Sequence, residues 1–134
     1  MAESLARHAL FADVPADALA ALDEAVHVVE FDEGDWVLRE GGENCGLHVI
    51  IEGEAGVVVN GEERSRVQAG MFFGEISALL KEPVAADVFA RTQLRCAVID
   101  RDDLFPFLLA HPSVTLRLLQ AEARRLADSN RWRA

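Results

Sequence analysis

Apolar positions along this chain change their spacing twice. Leu5, Ala9 and Leu10 make a short apolar stripe that ends near Phe11, and Pro15 suits the first position of a helix carrying Leu19, Leu22 and Ala25. Residues 4–25 are therefore expected to be helical. From Val26 to Asp100 the pattern becomes short strands cut by glycine turns. Strand-like runs cover Val26–Phe31, Trp36–Leu38, Gly46–Ile51 and Ala55–Val59, then segments around Arg66-Val67 and Met71-Phe72, then Val88–Ala90 and Leu94–Ile99. Asn60-Gly61 is the strongest hairpin signal, because both residues tolerate positive φ. About eight strands at short, regular spacing predict a sandwich or barrel, and with no long helix between them a parallel α/β sheet is not expected. Asp100 or Asp102 can cap a following helix through Leu104, Phe105, Phe107 and Leu108, with Pro106 in its first turns. Pro112 then opens a last helix to about Asn130, whose Leu116, Leu119, Ala123 and Leu126 step by three and four residues into one stripe.

The length of 134 residues suits one domain over 1–134, with helices at 4–25, a β-roll at 26–100 and C-terminal helices at 101–130. No apolar run reaches the ~20 residues that cross a membrane, and the start Met1-Ala2-Glu3-Ser4 lacks a signal-peptide pattern, so a cytoplasmic location is expected. Cys45 and Cys96 form no Cys-x-x-Cys pair; a reduced thiol pair fits that compartment better than a disulfide. The net charge is −10, but unevenly spread: Arg117, Arg124, Arg125, Arg131 and Arg133 follow residue 110 against only Glu122 and Asp128. The acidic body repels nucleic acid and anionic membranes, and the basic end reads as a solvated helix face or a partner for acidic surface. Neither DNA nor membrane is expected as a partner.

The densest candidate chemistry lies in Gly70 to Leu80. Gly74-Glu75-Ile76 reads as a tight turn opening a short helix, whose free N–H groups can hold an anion. Catalytic alternatives find little support. His8, His27, His48 and His111 are scattered, and His48 has no histidine two residues away to make a metal pair. Ser77 lacks a glycine-flanked nucleophile turn, while Glu40, Glu43 and Glu52 read as solvated turn carboxylates. No metal, no cofactor and no enzymatic activity are expected.

Four places resemble the cyclic-nucleotide-binding domain family: Leu10-Phe11 with the Pro15 helix, Gly34 with Gly41, Leu47 to Gly53, and Phe73 to Leu80 with Pro83 to Ala90. The resemblance covers roughly residues 8–130 and implies a jelly roll of eight strands, mainly β with flanking helices, acting as a ligand sensor. It also implies that the last segment is a phosphate-binding cassette. Glu75 matches the family's ribose-hydroxyl acceptor. Backbone amides around Gly74 and Ile76, and near Ala85 and Ala86, match those facing a cyclic phosphate. The family's cassette arginine, however, falls on Val84, and its following serine or threonine on Ala85. Lys81 is the only basic residue between Leu79 and Ala90. Asp87, if directed to the pocket, would repel phosphate further.

The expected ligand site is thus Phe73, Gly74, Glu75, Ile76, Ser77, Val84, Ala85 and Ala86, for a cyclic nucleotide bound weakly or for another small molecule. Two plainer readings stand beside it. Glu75 can serve as a first-turn carboxylate favoured by free helix amides, and Val84 and Ala85 can be strand filler in an orphan roll. Phe72 and Phe73 are expected in the core. The stripe Leu116, Leu119, Ala123 and Leu126 is expected to dock on the chain's own domain, with the arginines outward, or to form a homodimer or protein-docking seam. Family members that act on genes continue into a helix-turn-helix; ending at Ala134, this chain is expected to carry no DNA reader.

Overall fold

The computed structural model describes residues 8–43 and 46–130, so Leu5, Cys45, Arg131 and Arg133 lie outside the described residues. A 3-10 turn at Ala9–Phe11 leads into α1 (Ala16–Asp23). Eight strands follow: β1 (His27–Phe31), β2 (Trp36–Leu38), β3 (Gly46–Glu52), β4 (Glu54–Val59), β5 (Glu62–Gln68), β6 (Phe72–Phe73), β7 (Asp87–Ala90) and β8 (Leu94–Asp100). The short helix α2 (Glu75–Leu80) interrupts them between β6 and β7, and α3 (Arg101–Ala110) and α4 (Pro112–Asn130) end the described chain. Pro15 caps α1 from outside its first turn, one residue earlier than the sequence suggests, and Ala25 lies beyond the helix end.

The strands form two antiparallel four-stranded sheets, ordered β1-β8-β3-β6 and β2-β7-β4-β5, the jelly roll that the family resemblance implies. Asn60 and Gly61 join β4 to β5 with φ of 54° and 79°, the positive-φ pair of a tight hairpin.

The central strands β3 and β8 of the first sheet are buried on both faces, which explains their near-continuous apolar runs. Alternation in β3 sends Leu47 and Val49 toward the helices and Ile50 toward the second sheet. β8 divides in the same way, Ala97 and Ile99 against Leu94 and Cys96. Phe72 and Phe73, both core as expected, fall in opposite layers. Cys96 is a buried free thiol.

The last helix departs from expectation. Its buried positions are Val114 and Leu118, with Ala121 packed beside them, so the docked face runs 114, 118, 121. Leu116, Leu119 and Leu126 are 54%, 63% and 63% exposed, and Ala123 is exposed too. The helix therefore has two apolar faces, and the richer one does not cover the roll. The arginines do not all point outward either. Arg117 donates to the Leu10 carbonyl at 3.0 Å and pairs with Asp13, while Arg125 turns in toward α2. These polar anchors, with Val114 and Leu118, set the helix rotation that a count of leucines alone would place differently.

Candidate ligand-binding site

A cavity of about 630 Å³ opens between α2, the segment before β7, strand β5 and helix α4. All eight residues singled out in the sequence line it: Phe73, Gly74, Glu75, Ile76, Ser77, Val84, Ala85 and Ala86. Leu38, Val57, Val67, Met71 and Val88 make the rest of its apolar wall.

Gly74 makes the turn that places α2. Its φ is 85°, and a Cβ there would collide with the Gly46 carbonyl oxygen. Only glycine meets both demands without strain. Ser77 Oγ donates to the Gly74 carbonyl at 3.3 Å, closing the turn. Lys81 ends α2 in a left-handed conformation and places its ammonium 5.0 Å over the Phe105 ring. The nearest cation in sequence is thus committed to α3 and does not line the cavity.

Opposite α2, Val84 is 6% exposed and belongs to the apolar layer between the sheets. Its N–H donates to the Gly42 carbonyl at 3.0 Å, and its carbonyl accepts from Gly41 at 2.8 Å. Val84 is therefore fixed by main-chain bonds to the turn after β2 and contributes only methyl groups to the cavity. Asp87 does not face the cavity. Its Oδ1 accepts from the Glu40 amide at 2.7 Å and from Arg39 Nε at 3.3 Å, so the expected repulsion of phosphate does not arise from it.

Positive charge reaches the cavity from β5, just before the glycine turn, and from the distant last helix. Arg64 and Arg66 of β5 and Arg125 of α4 line it, together with Asp128. Arg125 is the most committed. Its Nη1 donates to Glu75 Oε1 at 2.7 Å and to Glu122 Oε1 at 3.3 Å, and its Nη2 donates to the Phe72 carbonyl at 2.6 Å. The guanidinium also lies 4.7 Å from the Phe72 ring centroid.

Glu75 is 2% exposed, and its Oε2 accepts no hydrogen bond from protein. Burial pushes its carboxyl up to about 8, the Glu122 carboxyl beside it favours a shared proton, and Arg125 opposes the rise without reversing it. Glu75, at the start of α2, thus lines the cavity and is tied to α4 through one arginine. No local sequence signal marked Arg64, Arg66 or Arg125. The one available clue was that Arg125 lies seven residues beyond Leu118, on the same helix face.

The histidines serve the scaffold. His8 Nδ1 accepts from the Leu10 amide at 3.2 Å, and His48 stacks on Phe73 with centroids 4.8 Å apart. Among the described residues, no group of three His, Cys, Asp or Glu side chains is placed to hold a metal. No helix among them is long and apolar enough to cross a membrane.

A family model for the cyclic nucleotide-binding domain matches residues 28–111. A CRP-like cAMP-activated global transcriptional regulator from Mycobacterium tuberculosis is 32% identical, over 97% of this chain and 60% of the regulator. The chain thus spans less than two thirds of that relative. The N-terminal domain of a transcriptional regulator from Streptomyces coelicolor A3(2) is similar at 30% identity and a TM-score of 0.68, covering 95% of this chain and 94% of that one. The regulatory subunit of a cAMP-independent protein kinase A from Trypanosoma brucei is 25% identical with a TM-score of 0.79, covering 90% of this chain and 45% of that one. With the jelly roll, the interposed α2 and the match over most of the strands, this chain belongs to the cyclic nucleotide-binding domain family.

Proposed function

We propose that the chain is a non-enzymatic, regulatory ligand-sensing domain whose cavity binds cyclic AMP and cyclic GMP only weakly. The observation that carries this reading is Val84, an apolar side chain locked by main-chain bonds where the family's cassette places an arginine. Losing one partner of a buried charge pair costs about 2–5 kcal/mol. That corresponds to roughly 30- to several-thousand-fold in affinity. The similar proteins include a cAMP-activated transcriptional regulator and the regulatory subunit of a cAMP-independent protein kinase A. Calorimetry with cyclic AMP and cyclic GMP tests the claim, and micromolar binding would overturn it.

The signalling route follows from the Arg125 contacts. A ligand between α2 and the Val84–Ala86 segment lies against Glu75, which lines the cavity. Any shift of Glu75 is felt by α4 through Arg125. The ligand would thereby change the position of α4 and of whatever α4 contacts.

A second reading concerns that contact. The unpartnered stripe Leu116, Leu119, Ala123 and Leu126 has the three-and-four spacing of a helix–helix seam and is exposed along its length. It fits a homodimer or a protein partner. Mass in solution of the native chain and of Leu119→Glu/Leu126→Glu tests this. A native monomer, or an oligomer indifferent to the substitutions, would sink the homodimer. Truncation at Pro112 is the poorer test, because it also removes the buried Val114 and Leu118.

A further inference from the structure

We infer that the cavity takes an organic anion with an apolar body, and that Arg64 and Arg66 of β5 hold its charged end in place of a cassette arginine. This rests on the reading of the cavity as the sensing pocket and names the class of ligand it is built for.

The wall is the first argument. Leu38, Val57, Val67, Met71 and Val88 offer no hydrogen-bonding groups from their side chains, and Ser77 Oγ is turned back to the Gly74 carbonyl. A ligand body rich in polar atoms would lose its water there without replacement, whereas an apolar ring or chain gains from the same burial.

The second argument is charge. In a protein of net charge −10, three of its 13 basic residues line one cavity. Arg125 already serves Glu75, Glu122 and the Phe72 carbonyl. The β5 arginines are held more loosely. Arg64 meets Glu62 at 3.5 Å, and Arg66 meets Glu63 at 3.4 Å and Glu54 at 3.8 Å, all with arginine side chains more than half exposed. Such pairs contribute little and exchange readily. Arg91 also pairs with Glu54 and Glu63, so drawing Arg66 toward a ligand leaves neither acid unpaired.

The third argument is register. Arg64 and Arg66 flank Ser65 on β5, with Arg64 at the bulge where the strand shifts register against β4, and both line the cavity. Two long guanidinium arms from that spacing can converge on one carboxylate or sulfonate, and a planar fork suits such groups.

The test uses a matched pair of fluorescent probes, 8-anilinonaphthalene-1-sulfonate and N-phenyl-1-naphthylamine, which share a body and differ in the sulfonate. Titrations are made into the native chain and into Arg64→Ala/Arg66→Ala, Arg64→Lys/Arg66→Lys and Leu119→Glu/Leu126→Glu variants. The expected result is tighter binding of the sulfonate to the native chain and a loss of roughly tenfold in Arg64→Ala/Arg66→Ala. The lysine variant should recover part of that loss, and the neutral probe should bind all three alike, which also reports that the cavity is folded. Equal loss of both probes, or no loss of the sulfonate, overturns the role of the arginines while leaving the sensing pocket intact. Failure of both probes on the native chain overturns the pocket itself. Loss of the sulfonate in the Leu119→Glu/Leu126→Glu variant places it on the exposed stripe and overturns the proposal.

Discussion

Arg125 of the last helix donates to Glu75 of the cassette helix at 2.7 Å, joining two side chains fifty residues apart at the mouth of the cavity. Glu75 is almost wholly enclosed, while the Arg125 side chain is 36% exposed. Arg125→Ala should therefore take a donor from the buried Glu75 carboxyl and from the Phe72 carbonyl, at a cost of about 1–3 kcal/mol in urea unfolding. Glu75→Gln in the same background should recover part of it. Additive losses would mean that the two residues do not act as a pair.

Stability should also depend on pH through Glu75 and His48. The folded carboxyl of Glu75 titrates near 8 against an ordinary 4.5, so the folded state keeps a proton that the unfolded chain has released. Its contribution is full below 4.5 and is lost as pH rises toward 8. His48, lowered by burial from 6.5 to about 4, acts in the other direction: the unfolded chain takes up a proton that the folded state refuses, so stability falls as pH drops from 6.5 to 4. The two windows overlap between 4.5 and 6.5, where the effects oppose each other, so urea midpoints should fall mainly as pH rises from 6.5 toward 8. Glu75→Gln should flatten that alkaline fall and leave stability rising with pH from 4 to 6.5; an unaltered alkaline limb would contradict the assignment.

Gly74 offers a test of the scaffold. Gly74→Ala must take a positive φ and push against the Gly46 carbonyl, so a loss of about 2 kcal/mol or more is expected in thermal unfolding. Gly61→Ala, where a Cβ meets open space, should lose only the smaller backbone term. Equal losses at the two sites would show that the close approach to β3 is not limiting.

Much of this arrangement was legible in the chain. The Asn60-Gly61 hairpin, the glycine turns and the alternating apolar runs carry local signals strong enough to place the strands. The eight cassette residues lie close in sequence, so finding the segment found one wall of the cavity. The opposite wall left no such trace. β5 reads Glu62 to Gln68 with only Val67 buried, so the sequence shows a strand around Arg66-Val67 but not that its charged residues reach the cavity. Arg64, Arg66 and Arg125 are drawn to the site by strand pairing and by the docking of α4, neither of which a single sequence encodes locally. Which of its two apolar faces α4 docks is hidden in the sequence for a related reason. Leu116, Leu119 and Leu126 outnumber the leucines on the docked face, yet Val114, Leu118 and the two anchored arginines decide which side meets the roll.

The most direct measurement is a calorimetric titration of cyclic AMP into the native chain and into Val84→Arg/Ala85→Ser. The native chain should bind more weakly than micromolar, and the double substitution should tighten binding by at least about thirtyfold. Micromolar binding to the native chain, unchanged by restoring the arginine, would contradict the claim that Val84 sets this cavity apart from a cyclic-nucleotide site.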